Sequence, residues 1–150
     1  MKTCLTAMAM AAALVACATG TGLSDTDRLA LYRAHAGEPV KDFQYFNSLN
    51  GWTELGDSAL AVWTKPSEAY LLELSGSCLD LSYSPAISIS NQFGRVAARF
   101  DSVRVIGAGP GPHIPCRIQT IRPLDVKAIR ASEKELREAR VQEREAGATE

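Results

Sequence analysis

The side chains able to do chemistry are Ser58, His35, His113, the carboxylates of Glu54, Glu68, Glu73, Asp80 and Asp101, and the thiols of Cys4, Cys17, Cys78 and Cys116. A serine hydroxyl is a poor nucleophile at neutral pH unless an imidazole takes its proton. Neither histidine has a recognisable orienting acid, and the position three before His113 is Pro110. Gly56-Asp57-Ser58 therefore reads as a hairpin turn. Two carboxylates can hydrolyse glycosidic bonds, but only at a working separation that spacing alone does not set. His113 and Cys116 stand three apart, yet no second close ligand pair accompanies them, and structural zinc takes four ligands. Gly107-x-Gly109-x-Gly111 has neither a following helix start nor the Lys-Ser/Thr of a phosphate loop. No catalytic residue, metal or cofactor is assigned from these patterns, and an enzymatic role is left open as a small hydrolase using carboxylates or His113.

The framework that would position these groups is one ordinary domain. The chain has 150 residues, 16 Lys+Arg against 17 Asp+Glu, and 46% hydrophobic residues. A formal charge of -1 gives no overall field for nucleic acid, and 22% charged residues is too few for a solvated, unfolded chain. Ser24-Asp25-Thr26-Asp27 caps a short helix through His35, stopped by Gly37 and Pro39, with an apolar face of Leu29, Leu31 or Tyr32, and Ala36. From Phe43 to Arg122 short apolar runs alternate with turn residues, the pattern of an all-β region. Strands are expected near Phe43 to Phe46, Trp52 to Leu55, Ala59 to Thr64, Ala69 to Leu74, Ala86 to Ser90, Arg95 to Phe100, Ser102 to Ile106 and Cys116 to Ile121. Val96, Ala98 and Phe100 should face inward, opposite Arg95 and Arg99. Trp52 and Trp63 are core candidates, although Trp52 at a strand start could stack on sugar or peptide.

Gly107 to Pro115 is a Gly/Pro loop with a mobile tip, pinned at Cys116. Asp125 can then cap a helix through Val126, Ile129 and Leu136, its apolar stripe thin and its outer face built on pairs such as Glu133 and Arg137. The fold expected is mainly β (α+β): a small antiparallel barrel or sandwich with a short N-terminal helix and a charged C-terminal helix.

The N-terminal residues carry an address. Lys2 precedes an apolar run from Leu5 to Ala16 of about a dozen residues, too short to cross a bilayer, which takes about 20. The tetrad Leu14-Val15-Ala16-Cys17 resembles the lipobox of bacterial lipoproteins. That resemblance implies removal of 1–16 as a signal peptide and diacylation of Cys17, which becomes the mature N-terminus. Residues 17–23 form a flexible tether, 24–126 the β-rich domain and 127–150 a charged helix or tail. Ala18, where an Asp would favour inner-membrane retention, points by analogy to the outer membrane, with the domain in the periplasm. With Cys4 lost and Cys17 lipidated, Cys78 and Cys116 remain in an oxidising compartment and are expected to pair. Closing a loop of about 38 residues constrains the unfolded chain by roughly 4 kcal/mol.

Other resemblances differ in weight. Gly56-Asp57-Ser58-Ala59-Leu60 resembles the serine block of a lipase/esterase family, without that family's C-terminal Asp-x-x-His. A longer likeness runs through Ala61 to Leu72, Cys78-Leu79-Asp80-Leu81, Val96-x-Ala98-x-Phe100-Asp101 and Cys116-Arg117-Ile118-x-x-Ile121-Arg122-Pro123-Leu124-Asp125. On these residues the chain resembles a family of small proteobacterial exported proteins, domain of unknown function 6491, whose members commonly begin with a signal or lipobox. The resemblance supports export and the Cys78–Cys116 pairing and implies no activity. The function expected is a lipid-anchored envelope module that binds an envelope protein or cell-wall partner, or scaffolds an assembly. A carrier of an apolar ligand inside a β-barrel is the further alternative.

Overall fold

The computed structural model describes residues 22–107, 109–110 and 114–148, so the Leu5–Ala16 run, Cys17 and His113 lie outside the described residues. Helix α1 spans Asp25–Ala34. Its N-cap Ser24 accepts from the Asp27 amide at 3.1 Å, and Asp25 and Asp27 place negative charge on the positive end of the helix dipole. After the cap at His35 the chain becomes extended, because the Gly37 amide bonds the Pro123 carbonyl at 2.8 Å. A Cβ at Gly37 would stand 3.2 Å from Pro123 Cγ, so this approach favours glycine.

Eight strands follow: β1 Asp42–Gln44, β2 Gly51–Glu54, β3 Ala59–Lys65, β4 Glu68–Leu74, β5 Ala86–Ile89, β6 Arg95–Ala97, β7 Ser102–Ile106 and β8 Cys116–Leu124. A 3-10 turn covers Leu81–Tyr83, and helix α2 runs Val126–Gly147, capped by the Asp125 side chain on the Ala128 amide at 2.9 Å. Six strands form an antiparallel sheet in the order β2-β3-β4-β8-β7-β5, and β1 pairs with β6 as a separate ribbon. The architecture is thus mainly β, with the short N-terminal and charged C-terminal helices expected. The sheet is not closed into a barrel. One edge of β8 pairs with β4; the other is shared, Cys116 and Arg117 pairing with β7, while Val40 and Ala36 bridge Ile121 and Leu124. The edge strands β2 and β5 do not pair with each other, which leaves the sheet open.

The central strands are buried on both faces. Leu60 and Val62 of β3, Leu72 and Leu74 of β4, and Ile118 and Ile121 of β8 enter the main core with Phe43, Val96, Val103 and Leu81. Ala59, Ala61, Ala69 and Leu71 face the other way, against Tyr32 of α1 and Val126 and Ile129 of α2. Small side chains on that face let the helices approach the sheet closely. The Tyr32 ring meets Trp63 edge-on at 6.3 Å, and Phe43 stacks on Tyr70 at 4.5 Å. Trp52 and Trp63 both pack against a core, from opposite sides of the sheet.

One strand expectation fails. Arg95 to Phe100 was expected as a continuous strand with Phe100 inward, whereas β6 ends at Ala97 and Phe100 is exposed. Arg99 takes a left-handed backbone (φ 69°), and the Asp101 carboxylate binds the Ala97 amide at 2.8 Å, closing a turn that breaks the alternation. In β7 the alternation is kept, with Val103 and Val105 inward and Arg104 outward.

Candidate functional site

The chemistry-bearing residues are dispersed and mostly occupied. Ser58 lies exposed in the turn between β2 and β3, held by Leu55 N–H to Ala59 O at 2.9 Å. His35 Nε2 is 3.2 Å from Ser132 Oγ, joining α1 to α2. Glu54 pairs with Arg28 at 3.3 Å and Glu73 with Arg33 at 2.7 Å. Glu68 accepts from Thr64 at 2.5 Å and Lys65 at 2.9 Å. The Thr64 hydroxyl, then Lys65, holds the Glu68 carboxyl below its ordinary pKa, and the bond to Glu68 raises Lys65 in turn. Asp80 is exposed and starts the 3-10 turn in a left-handed conformation. Among the described residues no cluster of His, Cys, Asp and Glu could hold a metal ion.

Among the described residues, Asp101 is the buried carboxylate, 2% exposed. Oδ1 accepts from Ser90 Oγ at 2.6 Å and Oδ2 from the Ala97 amide at 2.8 Å. Ser90 Oγ also accepts from the Ser102 amide at 3.0 Å. The network ties β5, β6 and β7 together where they meet, so Asp101 is a structural pin. Tyr32 has a comparable role between helices and sheet: its hydroxyl donates to Glu133 at 3.0 Å, and burial, then the nearby Glu133 charge, drives its pKa well upward.

Cys78 and Cys116 form a disulfide with Cα atoms 5.6 Å apart. It joins the loop after β4 to the start of β8. Beside it is a groove of about 290 Å³ lined by Leu79, Ile114 and Arg117, among others.

A larger groove of about 610 Å³ opens where the sheet branches at β8. Its walls are the segment from Pro39 to Asp42, the turn from Ala97 to Phe100 and Gln119 to Ile121 of β8. Backbone bonds fix these three walls: Ala98 N–H to Lys41 O at 2.9 Å, Arg99 N–H to Ile118 O at 2.7 Å and Val40 N–H to Ile121 O at 2.8 Å. Its apolar floor is combined with the exposed ring of Phe100 and the cations Lys41 and Arg99, while Asp42 is held by Arg95. That combination suits a partner with an apolar body and negative charge. Sequence patterning did not point to it, because its walls are distant in the chain and the alternation rule sends Phe100 inward. Asp101 gives no warning of the break, since an acid following an inward position is ordinary strand alternation.

No curated protein and no solved structure matches the chain. A family model matches residues 1–140, and the chain accordingly belongs to the family described as "Family of unknown function (DUF6491)".

Proposed function

We propose that this protein is a lipid-anchored module of the bacterial cell envelope, attached through Cys17 to the outer membrane with its domain in the periplasm, and that it binds an envelope protein or cell-wall partner. The observation that carries the anchor is the tetrad Leu14-Val15-Ala16-Cys17, which closes a short apolar run. One acyl chain anchors only marginally, whereas two or three give lasting attachment. The binding role is supported by the branch-point groove, which presents Phe100, Lys41 and Arg99 around an apolar floor. The catalytic candidates favour binding over hydrolysis by their placement: Glu54, Glu73 and Asp101 are each taken up by structural partners.

The anchor is tested by metabolic labelling with palmitate. Wild type should take up label and the Cys17→Ser variant should not; equal labelling, or none in either, rejects the anchor. The binding role is tested by crosslinking in intact cells. A reproducible partner lost on combined Phe100→Ala and Arg99→Ala replacement supports it, and failure to recover any reproducible partner counts against it.

A further inference from the structure

One end of the sheet gathers large apolar side chains into solvent. Leu79, Tyr83 and Ile114 are 76%, 87% and 73% exposed, and Ile106 beside them is 45% exposed. They come from separate segments that are bonded together. The Cys78 amide donates to Asp57 O at 2.7 Å, and Ser82 Oγ donates to Asp57 Oδ1 at 3.4 Å. Ser84 Oγ donates to Ile106 O at 3.1 Å, and the disulfide holds Leu79 and Ile114 along one groove. An apolar patch fixed in this way marks an interaction surface.

The path of the chain identifies the occupant. Helix α1 begins at this same end: a Cβ on Gly56, in the turn beside Asp57, would lie 3.6 Å from Asp25 Cβ. Residues 17–23 precede Ser24, and even fully extended they reach only about 25 Å. A lipid on Cys17 therefore keeps the start of α1, and this end of the sheet with it, within about 25 Å of the bilayer. The charge here is mixed, with Asp25, Asp57 and Asp80 against Arg104 and Arg117, so it gives no strong pull toward anionic headgroups.

We infer that the disulfide end of the domain docks on the zwitterionic surface of the bilayer that anchors it, Leu79, Tyr83 and Ile114 entering the headgroup layer. The inference rests on the lipid-anchor reading. Docking turns the patch toward the membrane and leaves the branch-point groove, farther along β8, available to a partner.

The test uses the full chain matured in bacteria and reconstituted into vesicles of phosphatidylethanolamine and phosphatidylcholine carrying brominated acyl chains. Leu79→Trp places a reporter in the patch, and Ser67→Trp places one in the turn at the other end of β4; Trp52 and Trp63 are common to both. Leu79→Trp should lose about three-fold more of its added emission than Ser67→Trp, as an interfacial side chain does. Adding Tyr83→Glu and Ile114→Glu to Leu79→Trp should reduce its quenching to the Ser67→Trp level. Equal quenching at the two positions, or quenching untouched by the two glutamates, overturns the docking. Palmitate labelling separates the two readings: label on Cys17 with equal quenching removes only the docking, whereas no label removes the anchor and the docking with it.

Discussion

The two faces of strands β3, β4 and β8 are covered by different means. On one, α1 and α2 lie over Ala59, Ala61, Ala69 and Leu71, and regular helices with side-chain bonds such as Tyr32 to Glu133 and His35 to Ser132 do the covering. On the other, the core of Leu60, Val62, Leu72, Ile118 and Ile121 is closed by a two-stranded ribbon, short strands and loops. Among the described residues, the non-glycine positions with positive φ are Asn47, Asp80, Phe93 and Arg99, all in loops on this second side. So are the disulfide and the Asp101 pin. Periodic burial suffices where helices cover a sheet; irregular segments need covalent and polar fixings to hold one conformation.

The largest effect that should separate the faces is loss of the disulfide. With its ends 38 positions apart in sequence, replacing Cys78 and Cys116 by Ser should cost roughly 4 kcal/mol, read as a shift in the denaturant midpoint. The ribbon side should loosen first, seen as faster amide exchange in β5, β6 and β7 than in β3 and β4. Uniform acceleration would remove the distinction. Asp101→Ala comes next. It leaves the Ala97 amide and Ser90 hydroxyl without their acceptor inside the protein, a loss of about 2 to 3 kcal/mol, while Asp101→Asn keeps one carbonyl oxygen and should lose less. A surface-like loss of under about 0.5 kcal/mol for Asp101→Ala would show that water replaces the pin.

These differences also explain what could be read in the amino-acid order. Strands starting at Ala59, Ala86 and Ser102 are visible because turn residues precede them and a short apolar run or alternation follows, and the Ser24 and Asp125 caps are visible because their side chains act within three residues. The order β4-β8-β7 is not visible: β8 lies far from β4 in the chain, and only Cys78 and Cys116 hint at the neighbourhood. Phe100 misleads because an Asp101 carboxylate that bonds its own turn outweighs a two-residue period. The branch-point groove shares that obscurity, since Lys41, Arg99 and Gln119 meet only through long-range backbone bonds.

On the helix side the expected effects are smaller. Tyr32→Phe keeps the ring against Trp63 and removes the bond to Glu133, costing about 1 kcal/mol in thermal or denaturant unfolding. Its pH signature is distinctive. The folded-state pKa of Tyr32 is raised above the ordinary 10.0, so its stabilisation is fully present below pH 10 and declines as pH rises beyond it, where the unfolded phenol ionises and the buried one resists. Tyr45 and Tyr70 are shifted upward by burial as well, so Tyr32→Phe should flatten the alkaline loss of stability without abolishing it. An unchanged slope between pH 9 and pH 12 would place the Tyr32 hydroxyl in contact with water.

The smallest effect should have the opposite sign. Gln92 and Arg95 exchange backbone hydrogen bonds of 2.9 and 3.0 Å around Phe93 and Gly94, whose φ angles are 51° and 74°. Two consecutive positive φ values define a type I′ hairpin, whose first position favours Asn, Asp or Gly. A bulky side chain there is strained, and Phe93 is fully exposed, so no burial offsets the strain. Phe93→Asn should therefore stabilise the domain by about 0.5 to 1 kcal/mol, raising the denaturant midpoint with an unchanged slope. Loss of stability would mean that the ring packs on the ribbon, and the loops on that side would then be held by burial as the helices are. A gain confined to Phe93 would instead show that the ribbon side tolerates local strain because the disulfide and Asp101 already fix its conformation.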